Sequence, residues 1–193
     1  MYLYTDTIRS LKFEGVYMDW SFTDRTWLDA EEMQKIELTN MFTDATRSLT
    51  FSRMMRKPLL HMKHKVAEAT GAKLETLADL HYDPRLKYMI YSAHDDQVTD
   101  MMWWLNENDY DWEYVLFSSQ VVFELSHETT CNAADESCFG VRVFYNGSGL
   151  TLPGVPHDNF LMKYTDFMDY MQSIWYDGVG DLNSACYRPF VSR

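Results

Sequence analysis

Positive charge is in short supply in this 193-residue chain, with 17 lysines and arginines against 29 acids and a formal net charge of -12. Such a surface repels the phosphate backbone of nucleic acids and anionic membranes, so neither is an expected partner. A phosphate-bearing small molecule meets the same repulsion, and binding it requires a local concentration of positive charge. The chain has no low-complexity stretch and no uninterrupted apolar run near the ~20 residues that cross a bilayer. Met1 to Ser10 has neither the basic start nor the apolar stretch of a signal peptide. Taken literally, these absences describe a soluble, cytosolic protein without a membrane span.

Cysteine is scarce too, with three residues, and they divide unevenly. Cys131 and Cys138 flank a short polar loop, where a bridge suits an oxidising compartment. Cys186 is left over, as in a truncated secreted protein whose third cysteine has its partner elsewhere. Three reduced cytosolic cysteines are the equal alternative.

What is present is core-forming material. Hydrophobic residues make up 46% of the chain and aromatic residues 16%, enough to exclude disorder of the whole and to build one domain, or one domain with a lobe. Leu28 to Arg56 runs without glycine or proline, with Ile36, Leu38, Met41, Phe42, Ala45 and Leu49 near helical spacing, which predicts one long helix or two short ones. Pro58 suits the first turn of a separate helix ending at Gly71, with Leu59, Met62, Val66 and Ala69 inward. A short helix over Leu74 to His81 follows. The first 80 residues therefore read as a mostly helical lobe, and 81–193 as an α/β core.

Leu86 to Ala93 is short, mostly apolar and bounded by Asp83-Pro84, which predicts a buried strand. Gln97 to Asn108 predicts a helix with Val98, Met101, Met102 and Leu105 as its stripe. Alternation in Val121, Phe123 and Leu125, and again in Val141, Val143 and Tyr145, predicts two antiparallel strands joined by the cysteine loop. Phe160 to Tyr176 predicts a closing amphipathic helix.

The segment Tyr91-Ser92-Ala93-His94-Asp95-Asp96 puts a histidine and two acids where the strand ends and a helix begins, the place at which open α/β sheets bind ligands. A helix N-terminus offers backbone amides and partial positive charge to an anion. A capping aspartate explains Asp95 or Asp96 without chemistry.

The run Lys87-Tyr88-Met89-Ile90-Tyr91-Ser92-Ala93-His94-Asp95 closely resembles the C-terminal signature of the histidine acid phosphatases. Ser118 to Leu125 is similar to that family's strand after the active-site helix, and Val141 to Gly147 to the partner strand. Leu152-Pro153-Gly154 and Asp181 to Cys186 follow in the family's order, and the similarity extends over about Pro58 to Cys186. The resemblance implies part of a histidine-phosphatase-type three-layer fold with a mixed central sheet, no cofactor and no metal. It implies hydrolysis of phosphate monoesters through a phosphohistidine, with His94 holding phosphate, Asp95 as general acid, and Asp96 as a further substrate-binding candidate. A protonated histidine supplies the missing positive charge. An aspartate is mostly ionised at neutral pH, so acid operation follows.

The family's nucleophile sits in an Arg-His-Gly-x-Arg motif, and none of the nine arginines here precedes a histidine. Loss of a nucleophile removes several orders of magnitude in rate, so the chain alone is expected to be inactive. Two functions remain: a piece of a secreted or lysosomal acid phosphatase, or a non-catalytic module that binds phosphate or a partner chain. Dimerisation and the substrate stay open.

Smaller signals have plain readings. His61 and His64 share a helix face with Glu68, which reads as a solvated polar face more readily than a metal site. A metal reading of His94, Asp95 and Asp96, as in helical metal-dependent phosphohydrolases, would place the doublet on a helix, whereas here a strand is expected to precede it, which disfavours that reading. Asn146-Gly147-Ser148 is both a glycosylation sequon and a hairpin turn. Of Trp103 and Trp104, one must face outward.

Overall fold

In a computed structural model of the chain, residues 2–16, 23–41, 44–73, 82–105, 115–131 and 135–176 are described. Three helices come first: α1 (Tyr2–Phe13), α2 (Asp24–Met41) and α3 (Asp44–Thr70). The break between α2 and α3 settles the Leu28 to Arg56 stretch as parts of two helices. Along it Leu49 is buried while Ile36 is exposed, and the other four apolar positions have side chains outside the described set. The α1 and α2 helices are joined by the Arg9–Glu31 ion pair and by Lys12 over the Trp27 ring at 4.2 Å.

The separate helix expected to begin at Pro58 is instead the second half of α3, which runs on through the proline. Proline removes one intrahelical hydrogen bond and crowds the preceding turn. Tertiary packing overrides that cost here: Phe51 and Met55 before the proline, and Leu59 and Val66 after it, lie on one stripe and enter one core. On the inner face Ala67 is buried and Ala69 exposed, the reverse of the expectation for Ala69. Gly71, at φ +76°, ends α3 in the left-handed conformation that favours glycine. The expected helix over 74–81 lies outside the described residues.

Helix α4 (Asp95–Leu105) follows, with Met101, Met102 and Leu105 buried as expected and Val98 half-buried. Strand β1 (Val121–His127) pairs antiparallel with β2 (Phe139–Tyr145), from Val121 opposite Tyr145 to His127 opposite Phe139. The loop between them is closed by a Cys131–Cys138 disulfide with Cα atoms 5.5 Å apart. Cys186 lies outside the described residues. Beyond β2 come β3 (Ser148–Gly149), β4 (His157–Asp158) and β5 (Leu161–Lys163), giving the order β1-β2-β5-β4 with β3 also on β2. Asn146 and Gly147, at φ +50° and +84°, make the tight β2–β3 turn that their sequence announces. At Gly149 the Phe160 ring passes 2.4 Å from where a Cβ would stand, so only glycine fits.

Helix α5 (Tyr164–Ser173) closes the described chain and is shorter than the expected 160–176. Val141 and Val143 of β2, Phe167 and Met171 of α5, Phe51, Met55, Leu59 and Val66 of α3, and Met101, Met102, Trp104 and Leu105 of α4 form one cluster. The chain thus combines helices with an antiparallel sheet around a shared core. Every strand pairing among the described residues is antiparallel. The mixed sheet that the resemblance implies does not form among them, and segment 86–93, expected as a strand, pairs with no described strand.

Arg47 on α3 and Asp100 on α4 form an ion pair at 2.8 Å with side chains only 5% and 3% exposed. The Arg47 guanidinium also lies 5.0 Å over the Trp103 ring. Trp104 is the inward tryptophan and Trp103 the half-buried one. Burial pushes the Asp100 carboxyl up, against the hydrogen bond and charge of Arg47. Removing one member strands the other in a low-dielectric site, whereas replacing both with apolar groups does not. Asp100→Asn should therefore cost about 3–5 kcal/mol in urea denaturation, while an Arg47→Met, Asp100→Leu double variant recovers most of that loss. A double variant as unstable as the single one would contradict this.

Candidate functional site

Segment 86–93 determines how His94 is presented. It is extended but belongs to no strand, and it is exposed at Tyr88 (70%) and Ile90 (82%). The buried strand expected there is corrected: the segment joins no ladder among the described residues, and Tyr88, Ile90 and Tyr91 are exposed while Leu86 and Met89 are half-buried.

The segment is tied to α3 at its start. Tyr82 lies against the His64 ring, centroids 4.6 Å apart and nearly parallel, and against His61 at 5.5 Å. The Tyr82 hydroxyl donates to Glu68 Oε2 at 2.7 Å, and Lys65 Nζ donates to the Pro84 carbonyl. Burial and the Glu68 hydrogen bond push the Tyr82 phenol up to about 12, so it stays a donor. His61, His64 and Glu68 are therefore more than a solvated face; they grip the entry to 86–93.

At the other end the chain turns into α4. The His94 backbone N–H donates to Gln97 Oε1 at 2.7 Å, and the His94 carbonyl accepts from Val98 N at 3.1 Å. His94 is thus the helix cap, and Gln97 supplies the back-bond of a capping box. The cap fixes the backbone of His94 and leaves the residue exposed, with the side chains of Asp95 and Asp96 half-buried beside it.

The amides expected to be open to an anion are already engaged. Asp96 N donates to Asp95 Oδ1 at 3.0 Å and Gln97 N to Asp96 Oδ1 at 2.7 Å. The N-terminal partial charge of α4 stabilises its own carboxylates. A phosphate arriving beside His94 must displace them or sit outside them. The structure therefore brings His94, Asp95 and Asp96 together at one exposed helix start. Among the described residues no three of His, Cys, Asp and Glu are arranged to hold a metal ion, and no helix is long and apolar enough to cross a membrane.

Two groups of residues that position this start were not legible as such. Arg47 and Asp100 stand 53 positions apart in sequence, and the one cue was an acid inside the apolar stripe of α4. Tyr82 gave no signal. At the far end of α4, Tyr170 donates to the Leu105 carbonyl at 2.6 Å and Trp104 Nε1 to the Ile174 carbonyl at 3.1 Å, fixing the helix against α5. No protein-family model matches the chain, and no curated protein matches it.

Burial, and then the neighbouring His64 and Lys65, lower the His61 pKa below the ordinary 6.5. The unfolded chain thus takes up this proton first as pH falls, so stability that is full above about 6.5 is lost as pH drops through the lowered value. The amide exchange protection of Tyr82, Asp83, Arg85 and Leu86, taken relative to the intrinsic rate at each pH, should fall below pH 6.5, and fall less in His61→Gln. Protection unchanged down to pH 5 would show that His61 does not hold the segment.

Proposed function

We propose that His94 and Asp95 are the phosphate-holding and proton-donating half of a phosphomonoester site of the histidine acid phosphatase type, and that this chain binds phosphate without turning it over. The observation that carries the reading is the Lys87 to Asp95 run, delivered by an extended segment to the capped start of a helix. An exposed histidine there supplies a hydrogen-bond donor and, once protonated, positive charge to equatorial phosphate oxygens. Asp95, next in the chain, stands where an acid protonates a leaving alcohol. The ordered similarity of 118–125 and 141–147 also supports it, since these segments are β1 with its approach and β2 with its turn. On this reading the described sheet is the antiparallel part of a histidine-phosphatase-type fold, and 86–93 is a core strand without its neighbours.

Hydrolysis needs an attacking group. No arginine in the sequence precedes a histidine, so the family's nucleophile motif is not in this chain. One observation favours a partner-binding module instead: the carboxylates on the Asp96 and Gln97 amides compete with any anion.

Calorimetric titration with inorganic phosphate in mildly acidic buffer separates these readings, alongside an assay with an aryl phosphate. The expected outcome is saturable phosphate binding, weakened at least tenfold by His94→Ala, with no release from the aryl ester. Hydrolysis abolished by Asp95→Asn would overturn the inactivity, and absence of binding would overturn the phosphate-holding role.

A further inference from the structure

Asn146 is the one asparagine in the sequence followed, two positions on, by serine or threonine, with Gly147 between. That is the pattern at which oligosaccharide is joined to an asparagine side chain. A tight turn accounts for the first two residues, since Asn146 and Gly147 take φ +50° and +84°. It asks nothing of Ser148, which pairs through its backbone with Tyr145 and whose hydroxyl bonds to no described residue. The turn is also open. Asn146, Gly147 and Ser148 are all exposed, and a Cβ built on Gly147 would meet no atom within 4 Å. At the other end of β2 the Cys131–Cys138 bridge closes the β1–β2 loop. Such bonds form and persist in oxidising compartments, the secretory ones in which asparagine is glycosylated.

We propose that Asn146 is a modification site carrying an N-linked oligosaccharide. The donor is an oligosaccharide on a polyisoprenyl diphosphate. A bond forms between Asn146 Nδ2 and the first sugar carbon, the bond from that carbon to the diphosphate oxygen breaks, the polyisoprenyl diphosphate leaves and one Nδ2 proton is released. The Ser148 hydroxyl is the group that the transferase reads. The folded turn tolerates the product. Asn146 Oδ1 accepts from Gln120 N at 2.9 Å, and Nδ2 donates to Ser119 Oγ at 3.1 Å. Attachment replaces one of the two Nδ2 hydrogens and leaves one N–H with Oδ1, the two kinds of group that these bonds use. The side chain therefore stays tied to the approach of β1 while the sugar extends into solvent. The inference rests on the turn and the disulfide and is independent of the phosphate reading.

Trypsin, cutting after Arg142 and Lys163, releases Asn146 in a single peptide. In the protein isolated from its natural source, mass spectrometry should find that peptide carrying hexose and N-acetylhexosamine. An N-glycan amidase in heavy-oxygen water should return it with labelled aspartate at position 146. When the full chain is passed through the secretory pathway of cultured cells behind a cleavable leader, Ser148→Ala should lower the attached sugar at least tenfold and Ser148→Thr should keep it. Both variants leave Asn146 and Gly147 in place, and circular dichroism checks that each folds. A native peptide without sugar, whether it holds asparagine or spontaneously formed aspartate at 146, would overturn the proposal. Sugar that persists in Ser148→Ala would overturn it too.

Discussion

The buried pair between Arg47 and Asp100 is the constraint on which the placement of the candidate site depends. A guanidinium that never deprotonates cannot stay buried without an anion, and Asp100 is the anion within 2.8 Å. Satisfying it fixes the rotation of α4 against α3. With Asp100 turned toward Arg47, Met101, Met102 and Leu105 enter the core, and the helix start falls outside it. Hydrogen bonds from Trp104 and Tyr170 lock the same orientation from the α5 side.

That orientation explains why His94 is displayed rather than buried. The capping box holds its backbone, and the extended approach from Tyr82 offers no flank to cover its side chain. The grip on Tyr82 fixes the other end of the approach, so segment 86–93 runs between two fixed points and joins no strand among the described residues. Charge and backbone geometry then pull in different directions. The helix start attracts anions, and Asp95 and Asp96 already answer that attraction. An anionic ligand must bring enough interaction with His94 to compete with two tethered carboxylates.

Much of the sheet was legible in the sequence because its signals are local. Alternation around Val121 and Val141 and the Asn146-Gly147 turn depend on near neighbours and appear in the structure as read, and of the two cysteine states left open the structure holds the Cys131–Cys138 bridge. The helix at Pro58 misled because proline was weighed locally, while Phe51, Met55, Leu59 and Val66 commit both halves of α3 to one core. Segment 86–93 misled for the opposite reason. Its apolar composition states what a strand needs, and composition cannot say whether a neighbour is there to meet it. The His94-Asp95-Asp96 cluster was legible as a motif. Its hydrogen bonding was not, since whether an aspartate caps its own helix or leaves the amides open depends on rotamers that no spacing encodes.

The account turns on whether the start of α4 holds phosphate through His94. The most direct measurement is a two-dimensional NMR titration of the isotopically labelled chain with inorganic phosphate. The account predicts saturable shifts centred on the His94 imidazole and the Asp96 and Gln97 amides, with β1 and β2 unmoved. Shifts scattered over the basic side chains with no saturation, or none at His94, would contradict it.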